Sequence, residues 1–401
     1  MNKKNILKNG LDMIYLASCA LHGTVPSKEK ILGMNIETVM EHASKHSMQA
    51  ITYASIKKYL SASESNKLAI DEKLLEKYKA GHARSIKKIV LFEIEREKIF
   101  NFFDANDIWY LPLKGIILQH LYPEIGMRQM ADNDILFDGN YREALKDFML
   151  ENQYTAEHYT KNLGSSCHDV YMKPPVLNFE MHHSLFSAFE KDIRFREYYQ
   201  NIKDRLIKDE GNKCGYHMSD EDFYIYITTH SYKHYSGGGH GVRSLMDIYV
   251  YISKKQGTLD FDYIDRELEK LGISDFEKKA RNLALKIFCQ TDKSGQLKLT
   301  PDEVELLVYY ITSGTYGTIT HTVQNNLSKM SNDGKITFSV RFKYFIRRLF
   351  PDSSFYMLCH PTLYKYKILI PGFVLFRLFR IIFTRPKALI SELKTLTSKN
   401  K

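Results

Sequence analysis

The run from Ile108 to Phe137 most narrows what this 401-residue chain can fold into, because it interrupts an otherwise helical pattern. Upstream, residues 36–59 and 74–103 carry apolar side chains at three- and four-residue spacing with few breakers, the period of an amphipathic helix. Inside the run the period changes. Residues 108–113 read as a short strand, 116–122 as a short helix and 132–137 as a second strand. Gly139-Asn140 marks a turn before a helix over 142–152, and further strands are predicted at 169–172 and 176–182 around Pro174-Pro175. Helical spacing returns over 220–235, 242–254, 263–271, 276–289, 301–312 and 340–349. The predicted class is α+β: a small mixed sheet embedded between mainly helical N- and C-terminal regions. The expected division is a helical region over 1–104, an α/β unit over 105–190, a helical domain closing the cleft over 191–335 and a basic helical region over 336–401.

Two acids in the second strand point to chemistry. Asp132 and Asp134 are two residues apart, so a strand turns both to one face. Side-by-side carboxylates repel unless a cation lies between them, which suits a divalent metal. A third acid comes from 177–182, where Leu177, Phe179 and Met181 alternate with Asn178, Glu180 and His182. With that strand beside the first, Asp132, Asp134 and Glu180 would converge on one or two Mg²⁺ or Mn²⁺ and align a triphosphate. Upstream, Lys114-Gly115 stands at a strand-to-helix junction, where a glycine lets backbone approach phosphates at a helix N-terminus.

The other candidates stay open between two readings. Lys114 either meets the phosphates or is solvated; Arg128 either clamps phosphates or pairs with Glu124. Tyr226, His230, Lys233 and His234 share one helical face, either as a cleft wall or as a hydrogen-bond network reaching Arg243 and Asp247. No HExxH pattern accompanies His230 and His234. His182 and His183 belong either behind the metal ligands or at the surface.

These motifs resemble a family. Leu113-Lys114-Gly115, Leu121-Tyr122-Pro123, Gly126-Met-Arg128 and Asp132-Asn133-Asp134 are similar to the core of an uncharacterised nucleotidyltransferase family of the DNA polymerase beta-like superfamily. Glu180-Met181-His182, His230-x-x-Lys233-His234 with Arg243 and Asp247, Gly314-Thr-Tyr316-Gly317, Leu349-Phe350-Pro351 and Ile370-Pro371 extend the likeness over about 105–380. The superfamily's usual first turn is Gly-Ser or Gly-Gly; here Lys114-Gly115 replaces it, with a longer gap to the acids. The resemblance implies transfer of a nucleoside monophosphate from an NTP, ATP foremost, to a hydroxyl-bearing acceptor that is a small molecule or a protein. Asp132, Asp134 and Glu180 would be the catalytic and metal residues; Lys114, Gly115 and Arg128 would bind the nucleotide; His182, His230, Lys233, His234 and Asp247 would line the substrate cleft.

Composition sets the outer bounds. Five scattered cysteines without a CxxC pair argue against a disulfide framework or a structural zinc site and fit a reducing, cytoplasmic setting. Neither a signal peptide nor a spanning helix is read. The formal net charge of +10 is concentrated after Lys335. No RNA-reading or zinc-finger signature accompanies it, so no specific nucleic-acid partner is expected. The stretch 364–396 mixes apolar residues with Arg377, Arg380, Arg385 and Lys387, so a weak membrane-surface contact competes with docking on the protein itself, the favoured reading. The rival functions are a catalytically inactive nucleotide-binding or scaffold protein, a membrane-surface protein of envelope or capsule biogenesis, and RNA end modification.

Overall fold

Thirty-four residues with one glycine and no proline form a single long helix, α5 (Glu72–Ala105), started by Asp71, whose Oδ1 accepts the Leu74 N–H at 3.0 Å. Its buried residues Ile89, Phe92, Arg96, Ile99 and Phe103 recur every three or four positions. That stripe covers one face of a five-stranded sheet, with Phe92 edge-on to Phe179 at 5.7 Å. The structure is a computed structural model describing residues 3–64, 67–68, 70–157, 166–188, 190, 192–289, 297–331, 335–351 and 353–398.

Before α5 come α1 (Lys3–Leu21), α2 (Lys28–Leu32), α3 (Ile36–Lys45) and α4 (Gln49–Ser61). The single helix expected over 36–59 is two. Ser47 enters the left-handed region at φ 53° and Met48 N–H turns back to Ala43 O at 2.8 Å, which ends α3.

The sheet contains β1 (Tyr110–Pro112), β2 (Asn133–Phe137), β3 (Thr155–Glu157), β4 (His168–Lys173) and β5 (Leu177–His182), in the order β1-β2-β5-β4-β3. Only β2 and β5 run parallel. Sequence periodicity missed β3, whose three residues are too few to alternate. Between β1 and β2 lies α6 (Gly115–Leu118), and α7 (Arg142–Glu151) follows β2. Leu145 and Met149 of α7 join α5 over Ile135, Phe137, Tyr171, Phe179 and Met181. The opposite sheet face carries Asp134, Glu180, His182 and His168. The class is α+β, as the sequence predicts.

Two compact units divide the chain: Met1–Ser231 with Val242–Ile311, and Tyr232–Gly241 with Thr312–Lys401. The first holds the sheet and also α8 (Ile193–Tyr199), most of α9 (Asp220–Gly237), α10 (Val242–Lys254), α11 (Phe261–Lys270), α12 (Ser274–Phe288) and nearly all of α13 (Pro301–Ser313). The second is built on α14 (Ile319–Met330), α15 (Phe338–Leu349), α16 (Ser353–Cys359), α17 (Pro361–Lys365), α18 (Ile370–Thr384) and α19 (Pro386–Thr397). Its core is small: Val323, Leu327 and Tyr344, flanked by Met330, Ile336, Val340 and Leu396. Pro371 and Pro386 open α18 and α19, where a missing N–H costs nothing. Among the described residues no helix is long and apolar enough to cross a membrane.

Candidate active site

The parallel register sets Asp134 directly beside Glu180, and Leu136 beside His182. Because side chains alternate along each strand, Asp134, Glu180 and His182 emerge on the face opposite α5 and α7, and ligand atoms of the three lie within 4.8 Å of one another. His182 Nε2 is 3.0 Å from Asp134 Oδ1 and 3.7 Å from Glu180 Oε2. Lys114 Nζ reaches the same Asp134 oxygen at 2.6 Å. Asp132 sits just ahead of β2 rather than within it, and no described residue gives it a hydrogen bond or an ion pair.

Electrostatics separates the two aspartates. Burial, then Asp134 and Glu180, push the Asp132 carboxyl up to about 6. Burial opposes ionisation of Asp134 as well, but Lys114 and His182 hold it well below the usual carboxylate range. His182 is desolvated, yet Asp134, Cys167 and Glu180 around its ring raise it to about 10. Cys167, beside His168 and His182, is pulled down to about 5 against the effect of burial. Carboxylates that repel one another suit a hard divalent cation. Among the described residues, Asp134, Glu180 and His182 bring ligand atoms close enough together to hold one, and Asp132 stands outside that cluster.

The first turn differs from expectation in its physics. Lys114, not Gly115, takes the left-handed backbone, at φ 44° and ψ −112°, and a lysine there stores strain. Leu113 N–H donates to Asp134 O at 2.9 Å, which fixes the turn against β2 and lets Nζ return over the acids. At Gly115 the space beside Cα is taken by two side chains of the protein. An added Cβ would fall 2.6 Å from both Arg128 Nη1 and Met130 Sδ.

Arg128 pairs with Asp247 rather than with Glu124. Its Nε and Nη2 donate to Asp247 Oδ1 and Oδ2 at 2.8 and 3.0 Å, and Tyr122 donates to Oδ1 at 2.7 Å. Asp247, expected in the cleft, thus anchors a buried network that joins the Tyr122-Pro123 and Gly126–Arg128 segments to α10. Arg243 of α10 donates to Gln129 O at 2.9 Å, and Lys88 of α5 to Ala131 O at 2.8 Å; both stand near Asp132. Tyr226 is fully buried close to Lys114, and its ring lies 6.4 Å from that of His230. Lys233 and His234 belong to the second unit. Sequence reasoning left Cys167 and His168 out of the site. Their signal was a Cys-His pair opening a strand that the hairpin at 174–176 must fold back beside Glu180 and His182.

A family model described as an uncharacterised nucleotidyltransferase matches residues 33–288, well over half of the chain. The chain belongs to that family. The match starts further upstream than the motifs suggested, taking in α3 to α5, and ends before Gly314, Leu349 and Ile370, whose likenesses lie outside it. No curated protein and no solved structure matches.

Proposed function

We propose that the protein transfers a nucleoside monophosphate from an NTP, preferentially ATP, to a hydroxyl of a small molecule or a protein, releasing pyrophosphate. The observation that carries this reading is the Asp134–Glu180 pairing in the parallel register, in a chain whose family is named for nucleotidyl transfer. Asp132, Asp134 and Glu180 would hold Mg²⁺ or Mn²⁺, which when bound neutralises charge on the phosphates and the leaving group. His182 fixes the Asp134 carboxylate through its hydrogen bond. Lys114 carries a full positive charge to the phosphate side of the acids, since desolvation is outweighed by Asp134. Glu180, with the His182 and His168 rings 3.7 and 3.8 Å away, is the acid left to accept the proton of the acceptor hydroxyl. Arg128 and Asp247 position the Lys114-Gly115 turn rather than the nucleotide, and His230 extends the acceptor side. Use of an NTP would fit a cytoplasmic setting.

The test incubates the protein with labelled ATP, CTP, GTP or UTP, Mg²⁺ and cell extract. Labelled product that disappears in Asp132→Ala/Asp134→Ala supports the reading. No transfer and no Mg²⁺-dependent ATP binding by calorimetry would leave the inactive scaffold.

A second reading concerns where the enzyme works, and the surface of α18 favours it. Leu375, Phe376, Phe379 and Phe383 are 59, 59, 62 and 78 % exposed, and only Val374 is buried. From Lys335 onward fourteen Lys and Arg stand against two acids. Exposed aromatics amid excess positive charge suit an anionic membrane surface. Flotation of the full chain with anionic but not neutral vesicles, lost in Phe376→Ser/Phe379→Ser/Phe383→Ser, supports it; no flotation removes it.

A further inference from the structure

We propose that Cys167, His168 and His182 form a site for a thiophilic divalent cation of the zinc class, using the His182 nitrogen that the carboxylates leave free. The absence of a CxxC pair hid it, because its ligands come from two strands. His168 and His182 face each other across the β4–β5 register with ring centroids 4.8 Å apart. Cys167 immediately precedes β4, and its carbonyl accepts the His183 and Ser184 N–H groups at 3.0 and 3.3 Å, tying the thiol to the end of β5. Ligand atoms of the three residues lie within 4.8 Å of one another, with Cys167 Sγ 3.4 Å from His168 Nδ1. Tetrahedral zinc places its sulfur and nitrogen ligands roughly 3.3–3.6 Å apart, so small side-chain adjustments complete the set.

His182 supplies an independent observation. Its side chain is 4 % exposed; Nε2 lies on Asp134 Oδ1, and Nδ1 is buried without a hydrogen-bond partner. A metal-bound histidine characteristically donates its second N–H to a carboxylate, which is the arrangement Asp134 and His182 already have. Thiolate and imidazole select soft or borderline cations over Mg²⁺, whereas the neighbouring carboxylates have the opposite preference. The pocket thus has a soft and a hard end joined by one imidazole. A cation at the soft end would lock the His182 ring and so orient Asp134. The assignment does not depend on the nucleotide reaction.

The test is a Co²⁺ titration of the full, reduced chain without nucleotide or magnesium. A thiolate-to-cobalt absorption saturating at one equivalent and displaced by Zn²⁺ is expected. It should vanish in Cys167→Ser, and Co²⁺ affinity should fall at least ~10-fold in His168→Gln and about 10–100-fold in Asp134→Asn. In the unsubstituted chain, Zn²⁺ should also shield Cys167 from alkylation, read by peptide mass spectrometry, a result that does not require any variant to fold. Absence of the absorption, its persistence in Cys167→Ser, or unshielded alkylation overturns the site. Nucleotidyl transfer assayed separately bears only on the function proposed above.

Discussion

The two faces of the sheet both bury charge, and they treat it in opposite ways. Beneath α5 and α7, Arg142 donates from Nε and Nη2 to the two Asp169 oxygens at 2.5 and 2.6 Å, while Arg96 caps Asn133 at 2.9 Å. There the two charges of the Arg142–Asp169 pair are matched to each other, nitrogen for oxygen. On the other face, Lys114 and His182 share one Asp134 oxygen, and Asp132 has no described partner. A buried ion is therefore no mark of function by itself. What marks the site is neutralisation concentrated on one acid while its neighbour is left exposed to repulsion.

Substitutions can break that comparison. The largest expected effect is on chemistry: Asp132→Asn or Asp134→Asn should cut labelled-nucleotide transfer by ~10³-fold or more. Asp132→Asn should leave the fold intact; a collapse in its melting temperature would erase the distinction between the faces. On the covered face, Asp169→Ala strands Arg142 and should cost about 3–5 kcal/mol in denaturant unfolding, because one member of a buried pair is lost.

Two pH effects sharpen the contrast, and their signs differ. His46, buried at 1 %, accepts the Val242 N–H at Nδ1 and donates from Nε2 to Ile311 O, and burial lowers it to about 4. Its contribution is complete above pH ~6.5 and is lost as pH falls towards 4, a decline of about 3 kcal/mol in unfolding free energy. Asp132 is raised, so its proton stabilises the native state. That stabilisation is present below pH ~4 and is lost as pH rises through about 6. Asp132→Asn should remove this second trend and gain about 3 kcal/mol at pH 7. An unchanged pH profile would contradict the proposed repulsion. The smallest effect comes from Gly115→Ala, which should cost about 1–2 kcal/mol by pressing on Met130 and the Arg128–Asp247 pair. Thermal melting that matches wild type would show that the turn has slack.

Much of this was legible in the chain. The stripe of α5 and the alternation of 177–182 have one period each and enough residues to show it, so helix, strand and the face of Glu180 could all be read. What could not be read depends on long-range partners. Asp247 lies 119 residues beyond Arg128, and local spacing offered only Glu124. The crowding around Gly115 could not be read either, since the side chains that press on it arrive from 128 and 130. The left-handed Lys114 has no sequence signature at all, because strain of that kind shows only in the backbone. In the C-terminal stretch the composition was plain, yet which side α18 would bury was not, as a helix rich in both arginine and phenylalanine can present either.

The strand β5 ties two fates together. It turns Glu180 and His182 one way and Phe179 and Met181 the other, so sliding it by a single residue against β2 would drive ions into the hydrocarbon layer and aromatics into the cleft. Misregistered molecules would therefore fail to fold rather than persist as intact but inert protein. Descendants of this chain can lose the charges of the site by point substitution, while an insertion within β5 is closed to them.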